Sequence, residues 1–167
     1  MANQLLEPVE YKIDETSLGV WRRYGYASGA LFEEFRSHQM LFGLPLIHFT
    51  RGRNPETGKR VVAKGIVAVG RIAVGGLAIG QASFGIIAIG QAAFGIVFGL
   101  GQLSTGIFAL AQLAIGLFFA LGQIAVGFIA IGQFAVGYYT LAQIGWGAYP
   151  LSKIFTSPSI GGVEVQS

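Results

Sequence analysis

The chain of 167 residues contains no cysteine, so a disulfide framework and a thiolate metal site are both excluded. Charge is nearly as scarce. Asp, Glu, Lys and Arg make up 11% of the residues, where about 25% is usual, and none lies between Arg71 and Lys153. Nine of the eleven basic residues fall between Lys12 and Lys64, and seven of the eight acidic ones between Glu7 and Glu56. The formal charge of +3 therefore belongs to a mixed-sign leader, which reads as a solvated face rather than a nucleic-acid surface. The first sixteen residues, MANQLLEPVEYKIDET, lack an apolar run. No secretory signal peptide is expected there, which places the protein in the cytoplasm, with membrane association as the alternative.

Groups that do chemistry are also few. His38 and His48 are the only histidines, and neither has an acid at metal-ligand spacing. Glu33 and Glu34 are adjacent and on a helix would diverge. The segment GRNPETGKR (52–60) is similar to a phosphate-binding loop. It has five residues between its glycines where that motif has four, and Arg60 where Ser or Thr should follow Lys59, so it reads as a turn. Ser83, Ser104 and Thr105 have no histidine or acid nearby in sequence to activate them. Arg22, Arg23, Arg36, Arg51, Arg53 and Lys59, with Trp21, Tyr24 and Tyr26, form no nucleic-acid recognition motif. The expectation is a non-enzyme with no metal, cofactor or small-molecule substrate and no nucleic-acid partner.

What the sequence does have is hydrophobic residues (53%), 26 glycines and an internal repeat. After Lys64 it divides into fives: GIVAV, GRIAV, GGLAI, GQASF, GIIAI, GQAAF and onward to GAYP. Two units, GIVFGL (95–100) and GLFFAL (116–121), have six residues. Transmembrane helices are disfavoured because no polar connection interrupts the run. Glycine every five residues steps about 500° around a helix and makes no single packing face. Eighteen glycines between Gly65 and Pro150 also lower helix propensity. Short extended segments of Ile, Val, Phe and Ala, with glycine at each corner adopting positive φ, fit better.

The two long units lie four units apart, which predicts a four-sided coil of 20–21 residues with the insertions stacked on one side of adjacent turns. Glutamine at the second position of alternate units then makes two columns, Gln81, Gln102, Gln123, Gln143 and Arg71, Gln91, Gln112, Gln133, read as structural ladders. AQLAI (111–115) and AQIGW (142–146) resemble the A-[DN]-L-x-x unit of pentapeptide-repeat proteins, and the resemblance covers about half the chain. It implies a right-handed square β-helix with the first and third residue of each unit inward, stacking Val67, Ile87, Phe108 and Ile129. The chain departs from that family in using Gln for Asp or Asn and apolar residues at outward positions. DNA mimicry by an acidic surface is therefore excluded. GLPLIHF (43–49) with KGIVAVG (64–70) is similar to the leader of hydrophobic-repeat proteins common in bacterial genomes.

The expected organisation is an N-terminal cap over 1–42, with an amphipathic helix within 17–40, and a hairpin over 43–64. An all-β, four-sided parallel β-solenoid of about four coils follows over 65–150, and a tail, a partial cap, over 151–167. In that geometry Phe84, Phe94, Val126, Val136 and Trp146 face outward, as do Ile66, Ile86, Ile107 and Phe128, exposing more apolar surface than a soluble monomer tolerates. The expected function is structural self-assembly into a homopolymer, a filament, tube or sheet, through these faces and through end-to-end strand stacking. A membrane-associated scaffold meeting lipid is the alternative.

Overall fold

A computed structural model describes residues 9–150, so the tail lies outside the described residues. They are all-β, with no helix among them: β1 (Lys12–Glu15), β2 (Gly19–Gly25), β3 (Leu31–Ser37), β4 (Met40–Leu41), β5 (Leu44–Pro45), β6 (Ile47–Arg51) and β7 (Ala63–Pro150). One mixed sheet runs β1-β2-β3-β6-β7, and β4 pairs with β5 separately. The first three pairings of the large sheet are antiparallel, and β6 joins β7 in parallel.

The helix expected within 17–40 is instead the hairpin of β2 and β3. Gly29, at φ 80°, closes its turn, and Gly29 N–H donates to the Tyr26 carbonyl. Cross-strand register decides the packing here. Trp21 faces Phe35 and Phe35 faces Phe49, so an aromatic row crosses three strands, with ring centroids 4.9 Å and 5.9 Å from Trp21. Such pairs contribute about 0.5–1.5 kcal/mol each. In a strand, adjacent residues point to opposite faces. Glu33 accordingly meets Arg23 and Arg51 across the sheet, while Glu34 turns to the buried face.

The hairpin expected over 43–64 is also replaced. A tight antiparallel turn does exist over 40–45, with Phe42 and Gly43 both at positive φ. Its successor β6, however, lies parallel to β7 with Ile47 opposite Val67. The loop 52–62 carries the chain back to the start of β7 rather than reversing it.

A straight strand of 88 residues would be about 290 Å long, with residues ten apart separated by about 33 Å. The rings of Phe84 and Phe94 instead stack at 4.8 Å, those of Phe128 and Tyr138 at 5.1 Å, and those of Tyr139 and Tyr149 at 5.6 Å. β7 therefore comes back on itself every ten residues, not every twenty. The glycines give the same period. A Cβ on Gly75, Gly80, Gly85 or Gly90 would collide with the carbonyl oxygen ten residues earlier, and one on Gly101 or Gly122 with the oxygen eleven earlier. The step lengthens wherever a six-residue unit intervenes. The four-sided coil thus gives way to a turn of two five-residue sides. The two long units share a side but are separated by the unit 106–110.

Burial overturns the inward assignment as well. The fourth residue of each unit, not the first and third, is enclosed: Ala68, Ala73, Ala78, Ser83, Ala88 and Ala93, and so on to Thr140. In the long units the enclosed residue comes one position late, at Gly99 and Ala120. Val67 and Ile129 are only half-buried, and Ile87 and Phe108 are exposed. Two sides so close leave room for a side chain no larger than threonine, not for isoleucine or phenylalanine. The glycines do not turn corners by positive φ either, since the described positive-φ glycines are Gly29, Gly43, Gly52 and Gly58. They let one turn approach the next.

Replacing Ala88 with Leu should destabilise the fold by about 3 kcal/mol, the upper range for overpacking. Ile87→Leu, on the exposed neighbour, should stay within about 0.5 kcal/mol. Thermal unfolding followed by far-ultraviolet circular dichroism distinguishes these outcomes from the reverse order that an inward Ile87 requires.

Candidate functional site

With two sides per turn, the second position of alternate units forms two columns on opposite sides. One is polar. Arg71, Gln81, Gln91, Gln102, Gln112, Gln123, Gln133 and Gln143, expected as two ladders, follow one another at steps of ten or eleven, and all are exposed. The other column is apolar: Ile66, Ile86, Ile96, Ile107, Leu117, Phe128 and Tyr138, broken at Gly76.

The fifth positions decide how these columns are flanked. Phe84, Phe94, Thr105, Ile115, Val126, Val136 and Trp146 precede the corner glycines that lead into the apolar column. Both sets of expected outward residues therefore meet on one edge, across a trough floored by Gly106, Gly116, Gly127 and Gly137. The trough encloses about 570 Å³ between Ile96, Ile107, Leu117 and Phe128 on one wall and Thr105, Ile115, Val126 and Val136 on the other. Leu117 is 79% exposed, Trp146 71% and Ile96 68%. On the opposite edge Val69, Ile79 and Ile89 line a second trough, whose other wall is Arg71 and Gln81. One edge is thus apolar on both walls and the other on only one.

Polar chemistry gathers where β3 and β6 meet the first turn of β7. Glu34 and His48 are both buried, and His48 Nε2 lies 3.1 Å from Glu34 Oε1. His48 Nδ1 accepts the Lys64 N–H at 2.9 Å, which leaves the proton on Nε2 to donate to the carboxylate. Arg36 Nε donates to the same oxygen at 2.9 Å, and Arg22 lies 3.5 Å from Glu34 Oε2. The His48 hydrogen bond, opposed by burial and helped by Arg36, holds Glu34 below the usual carboxylate range. Both faces of the imidazole edge are occupied, so the pair pins the cap sheet to β7. It has no free base to offer a substrate. Sequence reading missed the pair because strand register, not spacing, joins residues 34 and 48.

Ser83 Oγ donates to the Ala92 carbonyl at 3.4 Å, and the hydroxyls of Ser104 and Thr140 are enclosed without a partner. All three occupy the interior row, away from any histidine or acid. Among the described residues there is no group of three His, Cys, Asp or Glu able to hold a metal ion. No helix among them is long and apolar enough to cross a membrane, which leaves strands unaddressed. Comparison with family models, curated proteins and solved structures finds no match for the chain in any of the three.

The lowered pKa of Glu34 gives a pH dependence with a definite sign. Its stabilisation is complete above the unfolded carboxylate value of about 4.3 and is lost as pH falls through the lower folded value. Glu34→Gln should flatten the acid limb of unfolding below about pH 5, because the titrating carboxylate is gone. Fluorescence of Trp21, packed in the same sheet, follows it; an unchanged acid limb would remove Glu34 as the controlling group.

Proposed function

We propose that β7 is wound as a two-sided β-solenoid and that the protein is a cytoplasmic structural element that self-assembles laterally through its apolar edge. The carrying observation is that edge: a trough walled on both sides by Ile, Leu, Val and Phe, with Thr105 the one polar residue, running along successive turns with no charge. Isolated soluble proteins rarely leave a contiguous apolar strip of this kind uncovered. A second copy fits it because ridges and glycine hollows recur at the same spacing on both partners. A two-fold contact would set each ridge into the other's hollow. End-to-end stacking has less support, since β6 already pairs with one side of the first turn.

The ten-residue turn also strengthens the membrane alternative. A coil of twenty residues would give a stack of about 20 Å, too short for a hydrocarbon core of about 30 Å. Ten-residue turns over Ala63–Pro150 double it to about 40 Å, and the charged cap at one end suits a cytoplasmic surface. Lipid needs no matching periodicity, so the regular trough favours protein over lipid.

Negative-stain microscopy and sedimentation separate the two. Assemblies should persist in non-ionic detergent and sediment after carbonate extraction. Ile86→Lys combined with Leu117→Lys should cut the sedimentable fraction about tenfold, roughly 1.4 kcal/mol, whereas Gln112→Lys on the other edge should not. A monodisperse monomer without detergent sinks self-assembly, and release by detergent alone favours the membrane.

A further inference from the structure

We propose that the recess between the 52–60 loop and the first turn of β7 binds a phosphate-bearing anion through Arg53, Arg60 and Arg71. The recess encloses about 500 Å³, and its walls include those three arginines with Tyr26 and Ser28 and the backbone of Gly52. No carboxylate lines it among the described residues. That is unusual within this chain. Arg22, Arg23, Arg36 and Arg51 each reach a carboxylate within 4.0 Å, and among the described residues Arg53, Arg60 and Arg71 reach none. The arginines without a carboxylate partner among the described residues are the ones that converge.

Their convergence is built by the backbone rather than by chance rotamers. Asn54 N–H donates to the Lys59 carbonyl at 2.8 Å, and Gly58 N–H donates to the Asn54 carbonyl at 2.8 Å. The Asn54 side chain also accepts the N–H of Glu56 at 2.8 Å, so the loop is closed by its own hydrogen bonds. Closing the 54·59 pair brings its outer neighbours, Arg53 and Arg60, side by side. Tyr26 Oη donates to the Arg53 carbonyl at 2.8 Å and ties that corner to the β2–β3 turn. Desolvation and then the like charges of Arg71 and Arg53 hold Arg60 below the ordinary guanidinium range, the direction expected where cations crowd without a counter-ion.

Arg71 carries the sequence argument. It opens a column that is otherwise glutamine through Gln143, and it does so at the turn facing the loop. Glutamine would satisfy the column there as it does in every later turn. What arginine adds at that place is a third guanidinium, and planar forks of this kind match phosphate oxygens two at a time. Free phosphate compounds and lipid phosphate headgroups share this chemistry. The recess is independent of what covers the apolar edge.

Arg71→Gln is the decisive variant, because it installs the side chain that the column already uses. The intact protein, in a phosphate-free detergent if one is required, is titrated with inorganic pyrophosphate and followed by phosphorus NMR linewidth. In parallel it is floated with vesicles of phosphatidylcholine with and without phosphatidic acid. Saturable binding of pyrophosphate, or flotation that requires phosphatidic acid, should weaken about tenfold in Arg71→Gln and again in Arg60→Gln, with thermal unfolding in chloride unchanged. Pyrophosphate binding identifies a free ligand, and flotation alone identifies a headgroup. No binding in either arm, or equal binding by wild type and both variants, overturns the assignment. Arg53→Gln gives the same reading from the loop should the β7 variants fail to fold.

Discussion

The contact on which the rest of the molecule depends is the approach of most corner glycines, from Gly75 to Gly147, to the carbonyl ten or eleven residues before them. Added Cβ atoms at these places collide with backbone, not with side chains that could swing away. The turns can therefore stack closely at these glycines only because a side chain is missing. Close stacking then narrows the interior until nothing larger than threonine is enclosed along the row from Ala68 to Thr140.

That narrowness inverts the usual economy of a hydrophobic chain. Burying an alanine methyl is worth about 0.8 kcal/mol, against about 1.5–3 kcal/mol for a whole Leu or Ile side chain. The large apolar residues of β7 are the ones left outside. Ring stacking between turns, as at Phe84 with Phe94 and Phe128 with Tyr138, recovers part of their surface. The remainder stays exposed on the single chain. The cap follows the opposite logic: its large aromatics, Phe32, Phe35 and Trp21, pack inside one sheet, and Arg22, Arg23 and Arg51 meet carboxylates across strands.

The five-residue period, the all-β class and the glutamine pattern were legible in the sequence. The number of sides was not. Units four apart are compatible with a turn of two sides or of four, and the long units at 95–100 and 116–121 were read as adjacent because nothing in a sequence measures the distance between Phe84 and Phe94. The same ambiguity divided one glutamine column into two. The inward position was misassigned because bulk is ordinarily a guide to burial, and here space selects against it. In the cap, the mixed aromatic and charged run of 17–40 looked helical until register showed Arg23, Glu33 and Arg51 in one row. Arg53, Arg60 and Arg71 could have been suspected from Arg71 alone, the one departure from glutamine in its column.

Because the two edges alternate every five residues, the chain has something like a reading frame. Insertion or loss of ten residues adds or removes one whole turn and leaves glutamine above glutamine. Five residues would exchange the polar and apolar edges in every turn that follows, splitting the molecule into two halves facing opposite ways. The single extra residues in the long units escape this fate, for the enclosed position is merely delayed to Gly99 and Ala120 and the phase resumes. Descendants of such a sequence are free to vary in length by whole turns, or by the single residue that a long unit absorbs, but not by half a turn.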